Sequence, residues 1–426
     1  MNSDSLGSIT KFASARGKMD ANVEKAERFF LQSVARKLVP EHRVRVCWRH
    51  KLPTATNIDI VHLPETGAGH VRGLMRCCSV WVCPVCSGRI SEQRRVELST
   101  AIESYRDQYL PVMVTLTIRH HKKRPLSCTL ASLISAYRRL VSGRAWQSIK
   151  EEYSLVGSVR STEITYGENG WHPHFHVLLF LELTDEFVGA NSFSGVVDGE
   201  VKQVLDIDAL AASLENQISR RWLHVLAMRG DFASLEHGCV VSTQSGDVAA
   251  YIAKYGRLPI DRENWTLSHE LTKANVKKAS KAGETPFGLL RLAATGDEEA
   301  AELFVEYVAA TKGRSQLQWS RGLKALLGID DLSDDDVIAL DDSAEYVLLA
   351  SITAQLWRRI IDSGFAGDVI TLASQNDRQG LLAMLAEIAG EQEHWCMSCF
   401  AQMEAKMLPS GERVFICPVC DREVIA

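Results

Sequence analysis

No stretch of the 426 residues approaches 18 consecutive apolar side chains, so a membrane-spanning helix has no support. The opening MNSDSLGSITKFASARGK lacks the apolar core of an export signal, and the expectation is a cytoplasmic protein without a membrane partner. No G-x-x-x-x-G-K-[ST] loop occurs, which argues against a built-in nucleotide-driven motor. At 46% apolar and 24% charged, the composition excludes a disordered chain, a collagen and a disulfide miniprotein. A positive net charge is also missing, since 48 Lys+Arg against 53 Asp+Glu gives −5. Taken whole, that value argues against a polyanionic partner.

The sum hides a polarity. Residues 1–150 hold 25 basic and 11 acidic side chains (+14), residues 151–300 hold 13 and 22 (−9), and residues 301–426 hold 10 and 20 (−10). One part of the surface can therefore attract phosphates while another repels them.

Cysteine, by contrast, is plentiful and clustered. At the C-terminus, WCMSCF and ICPVCD place Cys396, Cys399, Cys417 and Cys420 in two C-x-x-C knuckles separated by 17 residues, the spacing of a zinc ribbon. A tail of this length has too little core to fold unaided, so metal binding would supply much of its folding free energy. Near the N-terminus, CWRHK and RCCSVWVCPVCSGRI offer a second structural zinc site from Cys47, Cys77, Cys83 and Cys86, with Cys78 or His50 as substitutes. Disulfides are disfavoured in a chain without an export signal.

Residues 111–118, PVMVTLTI, alternate as a strand and run into the basic loop RHHKKRP at 119–125. Helical spacing follows from Leu126 to about Glu152. Residues 155–165 and 173–183 read as a hairpin turning at Tyr166–Gly170, followed by a long helix at about 206–229, a strand near 238–244 and a short helix over 246–255. The order predicts an α+β fold, a central antiparallel sheet with helices on one face.

The hairpin carries GWHPHFHV. Residues two apart in a strand share a face, so His174 and His176 present two imidazoles side by side, and pairing across the turn sets Glu163 nearly opposite His174. His172 is the reserve ligand. This mixed nitrogen and oxygen set suits Mn²⁺ or Mg²⁺ in an open site, although spacing alone also permits Zn²⁺. In YIAKY, Tyr251 and Tyr255 lie one helical turn apart, with Lys254 placed to ease phenolate formation or to hold a phosphate. A phenol, with a pKa near ~10, attacks only if deprotonated or if its target is made strongly electrophilic.

HPHFHVLLF with YIAKY, preceded by VTLTIRH, resembles the HUH endonuclease superfamily, in the order found in plasmid rolling-circle replication initiator (Rep) proteins. RCCSVWVCPVCSGRI, WTLSHELTKANVKKAS, TPFGLL and KGRSQLQWSRGLK are also similar to stretches of that family, so the likeness spans roughly residues 44 to 326. The resemblance implies that His174 and His176 bind the divalent metal, that Glu163 or another acidic neighbour completes the set, and that Tyr255 is the nicking nucleophile. Some relatives have Glu where this chain has Tyr251. The second tyrosine is instead similar to phage initiators with a Y-x-x-K-Y helix, so Tyr251 is expected to act as a second nucleophile at strand transfer.

The resemblance further implies binding of a plasmid double-strand origin, aided by the basic N-terminal portion, and nicking of one strand to a 5′-phosphotyrosyl link and a free 3′-OH primer. A host helicase and DNA polymerase would be partners. The expected organisation is a basic Cys-rich region over 1–108, the HUH endonuclease core over 109–258, a Rep-like helical extension over 259–327, an acidic helical module over 328–390 serving partner binding, homodimer formation or spacing, and the zinc ribbon over 391–426. Two rivals stand beside this reading: an HUH transposase or mobilisation relaxase, and a non-enzymatic zinc-dependent DNA-binding regulator.

Overall fold

The computed structural model describes residues 21–197, 200–242, 283–390, 396, 401, 403–407, 413–417 and 423–425. Tyr251, Lys254, Tyr255, Cys399 and Cys420, and the helix expected over 246–255, lie outside these. The chain divides into two compact units, residues 90–332 and residues 1–89 joined with 333–426.

The described residues of the N-terminal part form helix α1 (Ala21–Leu38), strands β1 (Ile58–Leu63) and β2 (Ala68–Arg72) and the start of helix α2 (Pro84–Ser104). Within the 90–332 unit follow β3 (Tyr109–Thr117), α3 (Leu126–Leu140), α4 (Arg144–Glu152), β4 (Leu155–Gly167), β5 (Gly170–Glu182), α5 (Asp185–Ala190), the hairpin β6 (Ser192–Val197) and β7 (Glu200–Leu205), α6 (Ile207–Ala227) and β8 (Cys239–Ser242). Then come β9 (Gly283–Glu284), α7 (Pro286–Ala294), α8 (Glu298–Thr311), β10 (Leu317–Trp319) and α9 (Leu323–Leu326).

The sheet of this unit runs β10-β4-β5-β3-β8, with β9 pairing the end of β4, and every pairing is antiparallel. β4 and β5 form the expected hairpin, with a tighter turn: Gly167 pairs with Gly170, leaving Glu168 and Asn169 at the tip. The helical stretch from Leu126 is two helices. Gly143, at φ +77°, breaks it in a left-handed conformation that L side chains resist.

One expectation is corrected. Helices cover both faces of the sheet, not one. Val112, Val114 and Leu116 of β3 and Phe175, Val177, Leu179 and Leu181 of β5 pack in one core with Leu133 of α3, Trp146 of α4 and Leu214, Ile218 and Trp222 of α6. On the opposite face Met113, Val159, Leu178 and Phe180 meet Leu98 and Ala101 of α2 and Leu323 of α9. The continuous apolar run Val177–Leu181 follows from this double burial, since both alternating faces are dry.

Beyond Ser333 the chain returns to the other unit through α10 (Asp334–Ser343), β11 (Val347–Ile352), α11 (Ala354–Asp362), α12 (Ala366–Ser374) and α13 (Arg378–Ala389). This segment, expected to be a helical module, is not purely helical. β11 pairs antiparallel with β1, giving the sheet order β11-β1-β2. Helix α12 lies so close to β2 that a Cβ at Gly69 would sit 2.3 Å from the Ile370 carbonyl oxygen. Only glycine allows that approach. Strands β12 (Glu404–Met407), β13 (Arg413–Ile416) and β14 (Glu423–Ile425) close the chain as a small antiparallel sheet.

Candidate metal centres and their surroundings

Glu163 of β4 pairs directly with His174 of β5, and Ser161 with His176. On the far side of β5, Thr117 pairs with His174 and Thr115 with His176. Period-two alternation therefore brings Glu163, His174, His176 and both threonines to one face of the sheet, while Phe175 and Val177 enter the α3–α6 core behind it.

The three ligand-bearing groups converge. His174 Nε2 and His176 Nε2 are 3.1 Å apart, and each lies 3.2 and 3.1 Å respectively from Glu163 Oε2. Glu163 and His176 are buried. With both Nε2 atoms unprotonated, the three acceptor atoms form a nearly equilateral triangle able to hold a positive centre between them. For an octahedral ion with bonds of about 2.1 Å, neighbouring ligand atoms are spaced by about 3.0 Å, which the donor set matches. With such an ion bound, the triangle would supply three of its ligands and leave the rest to solvent or substrate.

The ring orientations have their own supports. With Nε2 as the ligating nitrogen, His176 Nδ1–H donates to Thr115 Oγ1 (3.1 Å), and the His174 Nδ1 faces the His172 carbonyl at 3.5 Å. Thr115 was not among the residues singled out in the sequence, though its place in the VMVTLTI alternation puts it on the histidine face. Buried Ser161 Oγ, on the same face, has no hydrogen-bond partner among the described residues.

His172 is not one of the convergent groups. Burial, and then the neighbouring His174 and His120, push its pKa down to about 3. Its ring lies between those of His174 (centroids 4.9 Å) and His120 (4.6 Å), so four imidazoles run in a row from His176 to His120. His120 belongs to the basic loop that follows β3, and its participation was not legible from the sequence.

The second group is Cys47, Cys77, Cys83 and Cys86, all buried, with sulfur separations of 3.5 Å (Cys47–Cys86), 3.7 Å (Cys77–Cys86) and 3.9 Å (Cys47–Cys83). Tetrahedral thiolates at about 2.3 Å from zinc stand about 3.8 Å apart, so the set fits that ion. Pro84 begins α2 between the two knuckle cysteines, and the Cys86 N–H donates to Cys83 Sγ at 3.4 Å. The Gln32 amide of α1 donates to the same sulfur at 3.1 Å. Burial opposes ionisation of Cys83, yet its contacts with Cys47, Cys77 and Cys86 hold its pKa well below the ordinary thiol value. The two substitutes stand apart. Cys78, at φ +50°, is pushed upward by burial and by its hydrogen bond with Asp335, and His50 is not in the group.

In the C-terminal sheet, Cys396 and Cys417 are buried with Ala401, Met403 and Phe415 in a small core of their own. Their two proposed partners fall outside the described residues.

A replication-protein family profile matches residues 73–188, which hold Cys77, Cys83, Cys86, Glu163, His174 and His176. A protein named Protein rep from Streptomyces lividans is 28% identical over 368 residues, covering 71% of this chain and 75% of its own length. A neomycin resistance protein from Streptomyces cyanogenus is 32% identical over 141 residues, 27% of this chain and 32% of that protein. Protein rep from Bacillus amyloliquefaciens is 34% identical over 129 residues, 29% of this chain and 36% of its own. The chain thus spans three quarters of the first and about a third of the other two. No solved structure matches it. The chain thus carries a replication-protein domain over residues 73–188, which holds the Glu163–His174–His176 set and three of the four clustered cysteines, and is similar to a Rep protein along most of its length.

Proposed function

We propose that this chain is a replication initiator that starts rolling-circle synthesis as an HUH endonuclease, nicking one strand of a plasmid double-strand origin by tyrosine transesterification. The observation that carries the reading is the convergence of Glu163, His174 and His176 on one point within the region matched by the replication-protein profile. A divalent cation held there, Mn²⁺ or Mg²⁺, would polarise the scissile phosphodiester and offset the charge that builds during displacement. Glu163 supplies the anionic ligand, and the two imidazoles hold their Nε2 atoms toward it.

The Tyr255 phenolate oxygen attacks phosphorus. A bond from that oxygen to phosphorus forms, the bond to the 3′ oxygen breaks, and the 3′ oxygen takes up a proton to become the primer hydroxyl. Lys254 assists by favouring the phenolate. After one round Tyr251 cuts the regenerated origin in the same way, and the free 3′-OH displaces a phosphotyrosyl link to rejoin the displaced strand. Each step exchanges one phosphodiester for another, so no energy source is consumed. A host helicase and polymerase supply unwinding and synthesis in the cytoplasm, and the N-terminal Cys₄ set and the C-terminal ribbon of Cys396, Cys399, Cys417 and Cys420 hold structural zinc.

Incubation with supercoiled origin plasmid and Mn²⁺ tests this. A covalent protein–DNA adduct is expected, lost in Tyr255→Phe. Absence of any adduct with Mn²⁺, Mg²⁺ or Zn²⁺ would overturn the enzymatic reading and leave a zinc-dependent DNA-binding regulator. The Rep names of the relatives favour replication over transposition or mobilisation.

A further inference from the structure

At the end of the sheet that carries the metal triad, two surface loops are tied side by side. One is the basic loop after β3, residues 119–124, and the other is residues 231–238 between α6 and β8. The Arg119 N–H donates to the Phe232 carbonyl (2.7 Å), the Thr117 N–H to the Gly238 carbonyl (3.0 Å) and the Thr117 hydroxyl to the His237 carbonyl (2.8 Å). Arg124 ties the pair from below, bonding both Asp231 and Ser132 at 2.8 Å. On its other flank the basic loop rests on the β4–β5 turn, and His120 stacks on His172.

What these anchored loops display is unusual for a solvent-facing surface. Arg119, Lys122 and Lys123 are exposed, and only Lys122 has an ion-pair partner among the described residues, Glu299 at a loose 3.8 Å. Asp231 is neutralised by Arg124, which leaves Glu236 as the acidic side chain of the second loop still facing solvent, beside His237. Next to the cations, Phe232 is 61% exposed and Leu235 82% exposed, although both are large apolar groups. A rigid mount that presents cations beside an uncovered aromatic ring has the composition of a single-strand binding surface, in which the cations follow the phosphates and bases stack on the ring. Duplex DNA hides its base faces and has no use for the ring.

We propose that loops 119–124 and 231–238 form a docking surface for single-stranded DNA, with Phe232 and Leu235 meeting bases and Arg119, Lys122 and Lys123 meeting phosphates, which delivers the strand to the adjacent Glu163–His174–His176 centre. The surface is continuous with that centre. His120 sits at its inner edge, two ring contacts from His174. The inference deepens the nicking reading by locating where its single-stranded substrate lies.

The test uses the full chain, a fluorescein-labelled 20-nucleotide oligo-dT and a mixed-sequence 20-base-pair duplex, in fluorescence anisotropy without added divalent metal. Phe232→Ala is expected to weaken oligo-dT binding by about tenfold with little effect on the duplex, and Phe232→Trp to retain it. Lys122→Glu with Lys123→Glu should weaken oligo-dT binding and flatten its salt dependence. Arg106→Glu, at the opposite end of β3, should leave both unchanged. Unchanged oligo-dT affinity in both Phe232→Ala and the lysine pair would overturn the proposal, as would equal losses on single strand and duplex. The readout needs neither an origin sequence nor Tyr255. A protein that forms no tyrosyl adduct yet loses oligo-dT binding in Phe232→Ala would refute transesterification and keep this surface.

Discussion

Glu163 and His174 occupy the same rung of the β4–β5 ladder, and the carboxylate oxygen of one lies 3.2 Å from the ring nitrogen of the other. His176, one alternation further, completes the triangle. A site built on two paired strands is fixed by backbone hydrogen bonds and needs no rearrangement to receive an ion. Because an ion bound only by the folded state stabilises it by mass action, Mn²⁺ at about one hundred times its Kd is expected to raise the melting temperature of the wild type by about 5 °C or more. The double change His174→Ala with His176→Ala should abolish that shift and the nicking of origin plasmid while leaving origin binding in place. Thermal scans with and without Mn²⁺ check the first part, and a gel-shift on origin duplex the last.

Thr115 acts on the site through His176. Its hydroxyl accepts from Nδ1, which fixes the tautomer that turns Nε2 toward Glu163. Thr115→Val keeps the branched shape that the strand packs and removes only the acceptor. The expected outcome is a loss of about 10-fold or more in Mn²⁺ affinity by calorimetric titration, with the unfolding midpoint of the metal-free protein nearly unchanged. A variant that binds Mn²⁺ as tightly as the wild type would show that the ring is oriented by packing alone.

Adjacent cysteines give a sharp test of the Cys₄ assignment. Cys77 has its sulfur 3.7 Å from Cys86, whereas Cys78 faces Asp335. Cys77→Ser is expected to lower the zinc content of the purified protein by one ion per chain and to destabilise it, because the site closes contacts among α1, the turn at Cys47 and the start of α2. Cys78→Ser should keep its zinc. If the C-terminal ribbon also holds zinc, Cys417→Ser removes a second ion, so elemental analysis of the three variants separates the two sites.

How far the sequence revealed these features depends on the range of the interaction. The Glu163–His174 rung was readable because a hairpin's register follows from its turn, and both residues lie within one hairpin. The Cys₄ set was readable because sulfur ligands have few other reasons to cluster. The pairing of β1 with β11 was not, since Ile58 and Ile352 meet across most of the chain and period-two alternation never names a partner. Helices on both faces were in principle signalled by the unbroken apolar run Val177–Leu181, which a sheet with one wet face would not tolerate. The row of imidazoles ending at His120 depends on a loop folding back over the hairpin turn, a contact for which no local pattern exists.

That fold-back makes the last prediction. Gly170 has φ +85°, and a Cβ placed there would stand 2.7 Å from Lys122 Cα, against backbone that cannot swing aside. Gly143 has a similar φ of +77° but nothing within 4 Å of its would-be Cβ. Alanine at either position must adopt a positive φ, at a cost of about 1–3 kcal/mol, and Gly143→Ala carries such a cost without a steric contact. Gly170→Ala adds a collision whose relief must lift the basic loop away from the hairpin and part His120 from His172. Urea unfolding is expected to show Gly170→Ala less stable than Gly143→Ala by at least about 1 kcal/mol. Oligo-dT binding should weaken in Gly170→Ala alone, because only there is the mount of the 119–124 loop disturbed. Equal destabilisation by the two substitutions would mean that the loop yields freely, and a loop that yields freely could not position a strand.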